Sequence, residues 1–228
     1  HNLTFTNLTD LMQGMMFADI RRKDRLTITG VSSDVFSTAD TGSAQAGDLF
    51  KGTNFTNSGN NSLLVADSVS ADTSITMVTG VAVDETPPTG HFLDRVGHEA
   101  GDGDVTVDVS GDLPVLSSTS LDFTTLGLVP GQWIYIGGDA AGSSFPDAAN
   151  NGYKRIRSIS ANALTIDKSE NAMVEDADTT GVELQIFFGD VLKNETGTDI
   201  TRRSYHVERT LGFSDDTAPN DIQSEVLK

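Results

Sequence analysis

The chain has no cysteine in 228 residues, which excludes disulfide staples, thiolate metal ligands and thiol catalysis. Cations are scarce as well. Fifteen Lys and Arg stand against 33 Asp and Glu, a formal net charge of −18. A conventional nucleic-acid binder needs cationic patches to displace the counterions of the phosphates, so that class is disfavoured. No unbroken apolar run approaches the roughly 18 residues that a membrane-spanning helix requires. The opening His1-Asn-Leu-Thr lacks the basic start and apolar stretch of a secretory leader, and we read no signal peptide there. Aromatic residues make up 7% of the chain, with a single Trp. The hydrophobic fraction of 37% is low, but it suffices for small β cores.

What the chain has in quantity is turn chemistry: 22 Gly, and much Ser, Thr, Asp and Asn. Its charge is unevenly spread. Residues 1–30 carry a net of +1 through Arg21, Arg22, Lys23 and Arg25, residues 31–130 carry −12, and residues 131–228 carry −7. One helix is expected, near the start. Leu8, Leu11, Met12, Met15 and Met16 fall on one helical stripe, extended by Phe17 and Ile20, with Thr6 or Asn7 as cap. Such a stripe is expected to pack on a sheet. From Leu26 onward the period changes to two. Short alternating runs recur at Ser74–Val78, Asp104–Val109, Trp133–Ile136, Arg155–Ile159, Ala163–Ile166 and Val182–Ile186, separated by turn clusters. The fold class is therefore all-β.

An internal repeat is the most informative pattern. Asn60-Asn61 and the following segment to Met77 align with Asn150-Asn151 and the segment to Ile166 at an offset of 90 residues, falling to 89. Identities include Asn60/Asn150, Asn61/Asn151, Ser68/Ser158, Ser70/Ser160, Ala71/Ala161 and Thr76/Thr165. Upstream, Gly47-Asp-Leu-Phe-Lys-Gly resembles Gly131-Gln-Trp-Ile-Tyr-Ile-Gly, and a Phe follows each, at 55 and 145. Each copy reads as a small β-barrel or sandwich. Phe55 and Phe145 are expected in equivalent core positions.

The second copy supports a resemblance. Leu121–Gly138, then Phe145, Asn150–Tyr153 and Ala161–Ile166, is similar to the tail tube proteins of long, non-contractile-tailed (siphovirus-type) bacteriophages. Arg202-Arg203-Ser-Tyr-His-Val-Glu-Arg209 resembles the strand by which that family returns to its tube barrel, and the Asn2–Leu11 helix fits the helix of the same domain. The resemblance implies small β-barrel or sandwich domains, in two duplicated copies, attached to a tube β-barrel or sandwich with one short N-terminal helix. Residues 1–32 would give part of the tube domain, 33–88 the first small domain, 89–117 further tube-domain strands, 118–190 the second small domain, and 191–228 the returning strand and tail. It further implies homo-hexameric rings stacked into the channel for DNA ejection, with terminator and tail-tip proteins at the tube ends. DNA would pass the lumen without specific binding. The protein would be made in the host cytoplasm, act in the virion and engage no membrane. On this reading the carboxylates face the lumen, while Arg21, Arg22, Lys23 and Arg25 sit at subunit contacts. The alternative is a surface module of repeated β domains recognising glycans, with Trp133 and Tyr135 as stacking residues.

No catalytic, cofactor-binding or metal-ligating residue is assigned. Asp102 and Asp104 sit in Gly101-Asp-Gly-Asp, but an EF-hand-type loop needs a Glu twelfth, and that position beyond Asp102 is occupied by Leu113. Glu175-Asp176-Ala-Asp178 reads as a polar loop. His91 and His98 flank Asp94, with Glu99 next to His98, yet a spacing of seven on a β background separates them. Neither a Gly-x-Ser-x-Gly elbow nor a phosphate-cradling Gly-x-x-x-x-Gly-Lys motif occurs. Asn2, Asn7, Asn54, Asn60 and Asn194 match Asn-x-Ser/Thr and are read as turn residues. Trp133 is expected in a core.

Overall fold

A computed structural model describes residues 25–78, 80, 82–169, 172–188, 191–193 and 199–201. The expected helix over 8–20 and the strand at 202–209 lie outside these residues. The described chain is mostly antiparallel β-sheet, with helix confined to three single 3-10 turns at Ser58–Asn61, Phe123–Leu126 and Ala148–Asn150. The strands run β1 (Arg25–Leu26), β2 (Ile28–Ser32), β3 (Val35–Thr38), β4 (Asp48–Thr53), β5 (Leu63–Ser70), β6 (Ser74–Met77) and β7 (Phe92–Glu99). They continue with β8 (Val105–Asp108), β9 (Val115–Ser118), β10 (Trp133–Ile136), β11 (Gly152–Ser160), β12 (Ala163–Ser169) and β13 (Gln185–Phe187). A separate hairpin pairs β14 (Val191–Lys193) with β15 (Asp199–Thr201).

Period-two patterning accounts for most of these strands. In β3, Phe36 and Thr38 are buried while their neighbours are only partly so, and Ile75 and Met77 of β6 repeat the pattern. The β2–β3 loop is two residues, Ser33 and Asp34, both at positive φ (51° and 67°), the conformation that matches the twist of a tight hairpin.

Hydrogen bonding runs through one sheet in the order β2-β3-β6-β5-β4-β7-β13-β10-β11-β12-β9-β8, with β1 on the edge of β7. The two halves have the same internal order. Numbering six strands from β2 or from β8, each reads 1-2-5-4-3-6. Registers agree too: Phe50 faces Leu64 where Ile134 faces Lys154, and Lys51 faces Leu63 where Tyr135 faces Tyr153. The halves meet where β7 pairs β13, Gly97 opposite Phe187. A Cβ on Gly97 would overlap the carbonyl oxygen of Ile186, so the seam needs glycine there. Residues 89–117, assigned from sequence to a tube domain, supply β7, β8 and β9 to this same sheet.

Among the described residues, burial divides into three clusters. The first half packs Phe36, Phe50, Phe55, Leu64 and Ile75 among others. The second packs Phe123, Ile134, Phe145, Ile156 and Phe188 among others. Each such side chain contributes about 1.5–3 kcal/mol on burial. The third cluster, Leu49, Val96, Trp133, Tyr153 and Phe187, spans the seam, with Leu63, Val65 and Tyr135 packed against it.

Candidate functional site

Polar chemistry concentrates in two places: the Asn turns of each half and the seam. The turns are local equivalents. Asn61 Oδ1 accepts the Phe55 N–H at 2.9 Å, and its Nδ2 donates to the Phe55 carbonyl at 2.7 Å. Asn151 does the same to Phe145, at 2.9 and 2.8 Å. The preceding asparagines are fully buried and staple the distal loops. Val83 N–H donates to Asn60 Oδ1 at 2.8 Å, and Val174 N–H to Asn150 Oδ1 at 2.9 Å. Phe55 and Phe145 are 5% and 3% exposed in the two half-cores. The Asn-x-Ser match at Asn60 is thus an inward-pointing turn residue.

At the seam, β4 and β7 bring Asp48, Arg95 and His98 together. Asp48 and Arg95 are at most 1% exposed and His98 is 5% exposed. Arg95 Nε lies 2.7 Å from Asp48 Oδ2, and its Nη2 donates to Oδ1 at 2.9 Å. Nη1 donates to Ser43 Oγ at 3.1 Å, and the guanidinium stacks 5.5 Å from the Phe188 ring centre. His98 Nδ1 sits 2.9 Å from Asp48 Oδ1, and the Gln45 N–H donates to Oδ2 at 2.8 Å. The carboxylate is saturated by its partners. Burying a charge is tolerable only when it is paired and hydrogen-bonded in this way. The network fastens β4 to β7 and extends through Phe188 into the second half.

An open cleft of about 580 Å³ lies beside this network. It is lined by His98 and by the carboxylates Asp67, Glu99, Asp104, Asp122 and Glu183. Burial raises the Glu99 pKa, opposed by the Gln185 hydrogen bond and reinforced by the nearby Glu183 charge. Burial acts the same way on Asp104 but is outweighed. Ser118 Oγ, the Thr119 N–H and Oγ1, and the Ser120 N–H all donate to it and hold it well below the usual carboxylate range. Such a cleft attracts cations and repels polyanions.

The residues weighed from sequence scatter. The His91 ring packs on Phe55 at the far end of β7, where its Nε2 accepts the Ile28 N–H at 3.1 Å. Seven extended residues hold it roughly 20 Å from His98. Asp94 pairs with Arg25 through two bonds of 2.6 Å, and Glu99 accepts from Gln185 at 2.7 Å. Asp102 caps the Gly181 N–H at 2.6 Å. Glu175 accepts from the Val109 N–H at 3.0 Å, and the Asp176 backbone bridges to Val107. Among the described residues, no group of three or more His, Asp or Glu side chains is arranged to hold a metal ion. No helix among them is long and apolar enough to cross a membrane. Trp133 is 4% exposed, in the seam cluster.

Two features escaped the sequence reading. One is the Asp48–Arg95–His98 network, whose members are 47 and 50 residues apart and carry no local motif. The other is Lys154, fully buried at the position of Leu64 in the first half. Its Nζ donates to the carbonyls of Ala149 (2.9 Å) and Asn151 (2.7 Å), closing the 3-10 turn, and burial pushes its pKa down to about 8. An apolar neighbourhood in Tyr153-Lys-Arg-Ile is the only sequence signal it gives.

No protein-family model, curated protein or solved structure matches the chain.

Proposed function

We propose that the chain is a structural subunit of a bacteriophage tail tube, assembling through copies of itself into hexameric rings that stack as the DNA-ejection channel. On this reading residues 28–188 are a decoration of two duplicated small β domains, each curling toward a barrel or sandwich. The tube domain is built from the two flanks, where the helical stripe at 8–20 and the tube-like strand at 202–209 lie. The observation that carries the proposal is where the chain enters and leaves the sheet. Arg25 pairs opposite Asp94, and the Phe188 N–H donates to the Val96 carbonyl at 2.8 Å. Both ends of the decorated segment therefore reach one edge of one strand within two residues of each other. That is the geometry of an insertion carried by a separate domain, and short, adjacent termini make such insertions tolerable.

Electrostatics support the same reading. Arg95 and Lys154 are buried, and Arg25 and Arg155 are engaged with Asp94 and Asp167. The segment therefore offers DNA phosphates few cations, while its carboxylates repel over about 8–10 Å at physiological salt. The glycan-binding alternative would need an accessible stacking platform, and Trp133 is covered. Sedimentation of the purified chain tests the proposal. A species near 145 kDa, six copies of a 24.2 kDa subunit, is expected. A monomer at every concentration would overturn it.

A further inference from the structure

The cleft beside the buried network has one wall from each half. The first half contributes the turn before β4, the middle of β5 and Val78, and the second contributes Ser120–Asp122, Thr125 and Glu183. At about 580 Å³ it falls in the size range of small-ligand sites. No Lys or Arg lines it. Its most buried polar side chain is His98, 5% exposed, whose Nδ1 lies 2.9 Å from Asp48 Oδ1. An ionised carboxylate only accepts, so in the neutral ring the proton sits on Nδ1 and Nε2 carries the lone pair. Nε2 has no hydrogen-bond partner among the described residues, yet it is not sealed in the interior, and it opens on the cleft. A Cβ on Gly47 would stand 3.0 Å from Nε2, so glycine there leaves the nitrogen uncovered. A buried acceptor held open in this way calls for a donor from outside the chain.

The carboxylates around His98 differ in what they have left to offer. Asp104 is saturated by Ser118, Thr119 and Ser120. Glu99 spends Oε2 on Gln185, and Asp122 spends Oδ1 on Thr124, while the Asp67 and Glu183 side chains accept no hydrogen bond among the described residues. Burial and the Glu183 charge both raise the Glu99 pKa, a cost that an ammonium placed beside them removes. These acceptors sit on separate stretches of chain, and among the described residues no three acidic or His side chains are arranged to hold a metal ion. Between them the lining is aliphatic, with Val65, Val78 and Leu121, and Val78 is 51% exposed. Spread negative charge with apolar surface between suits an elongated cation with a methylene stem, not a point charge. We propose that the cleft binds a linear aliphatic polyamine. One primary ammonium donates to His98 Nε2 and Glu99 Oε1, the methylenes cover Val78 and Leu121, and a second amine reaches the exposed carboxylates of Asp67, Asp122 and Glu183. The ligand bridges the two halves and neutralises acids that otherwise repel across the cleft. The inference rests on the cleft alone and stands whether or not rings form.

Isothermal titration calorimetry of the full chain with spermidine tests it, at physiological salt so that diffuse attraction to a chain of net charge −18 is screened. A single saturable site is expected, about tenfold or more tighter than for n-butylamine or magnesium. Asp67→Asn and Glu183→Gln, both at exposed positions, are each expected to weaken binding several-fold. Asp112→Asn, an equal change of charge in the loop between β8 and β9, is expected to leave it unchanged. In long-range nitrogen–proton NMR spectra of the histidine rings, saturating spermidine is expected to shift the His98 nitrogens and leave those of His91 in place. No saturable binding, an equal loss from Asp112→Asn, or a His98 ring that does not respond would overturn the inference. Magnesium binding as tightly as spermidine would also overturn it by assigning a metal, and Nα-acetyl-lysine amide binding as tightly would do so by assigning a protein side chain.

Discussion

Replacing Lys154 by Met, of similar length but without charge, should change how stability depends on pH. Lys154 is fully buried, and burial lowers its pKa from 10.5 to about 8. The folded state therefore disfavours the charged form. Below about pH 8 the lysine is charged in both states, and the penalty is fully present. Between about pH 8 and 10.5 the unfolded chain binds more protons than the folded one, so stability rises with pH. Above 10.5 the penalty is gone. At 1.36 kcal/mol per pKa unit, this group alone accounts for up to roughly 3 kcal/mol across the window. Lys154→Met removes the titration. It also removes the donors that close the turn at Ala149 and Asn151, a loss of about 1–3 kcal/mol that acts at every pH. The net effect at neutral pH is thus small, but the difference between variant and parent changes with pH. Urea unfolding at about pH 7, 8, 9 and 10.5 measures it, and other titrating groups cancel in the difference. The parent should gain up to roughly 3 kcal/mol relative to the variant between the ends of the series. A difference that stays flat would refute the assigned burial.

Asn61→Ala and Asn151→Ala should each cost about 1–3 kcal/mol in chemical denaturation, because each strands the same pair of Phe backbone groups; one costly and one neutral would contradict the equivalence of the two turns. Arg95→Met leaves the Asp48 carboxylate buried beside His98 and should cost about 3–5 kcal/mol. The double variant Asp48→Leu/Arg95→Met should recover most of that in the same assay. Asp104 has a lowered folded pKa, so its contribution is present above 3.8 and lost as pH falls below it. Asp104→Asn should accordingly lose stability relative to the parent at neutral pH, with the gap closing in acid.

The β class and most strands were legible because one side of each faces a core. Ile75 and Met77 in β6, Val105 and Val107 in β8, and Leu164 and Ile166 in β12 write period two directly into the sequence. The paired Asn turns were legible for a related reason, since few residues other than Asn bond a backbone N–H and its carbonyl at once. β7 was not legible as a central strand. Phe92-Leu-Asp-Arg-Val-Gly-His-Glu does not alternate, because both its faces are covered and its charges are satisfied by Arg25, Asp48 and Gln185 far along the chain. Asp48 reads locally as a turn acid, and only the sheet order reveals it as the partner of Arg95 and His98. Lys154 was missed because a lysine on a strand is ordinarily outward. Here it takes the place of Leu64 and reaches past the core to the carbonyls of a 3-10 turn.

The claim that the chain builds a tube is tested most directly by negative-stain electron microscopy of the purified protein. Ring-shaped particles with six-fold symmetry around an open lumen, alone or stacked end to end, are expected. A field of single, uniform monomers without rings, at concentrations where sedimentation also shows only monomer, would contradict it.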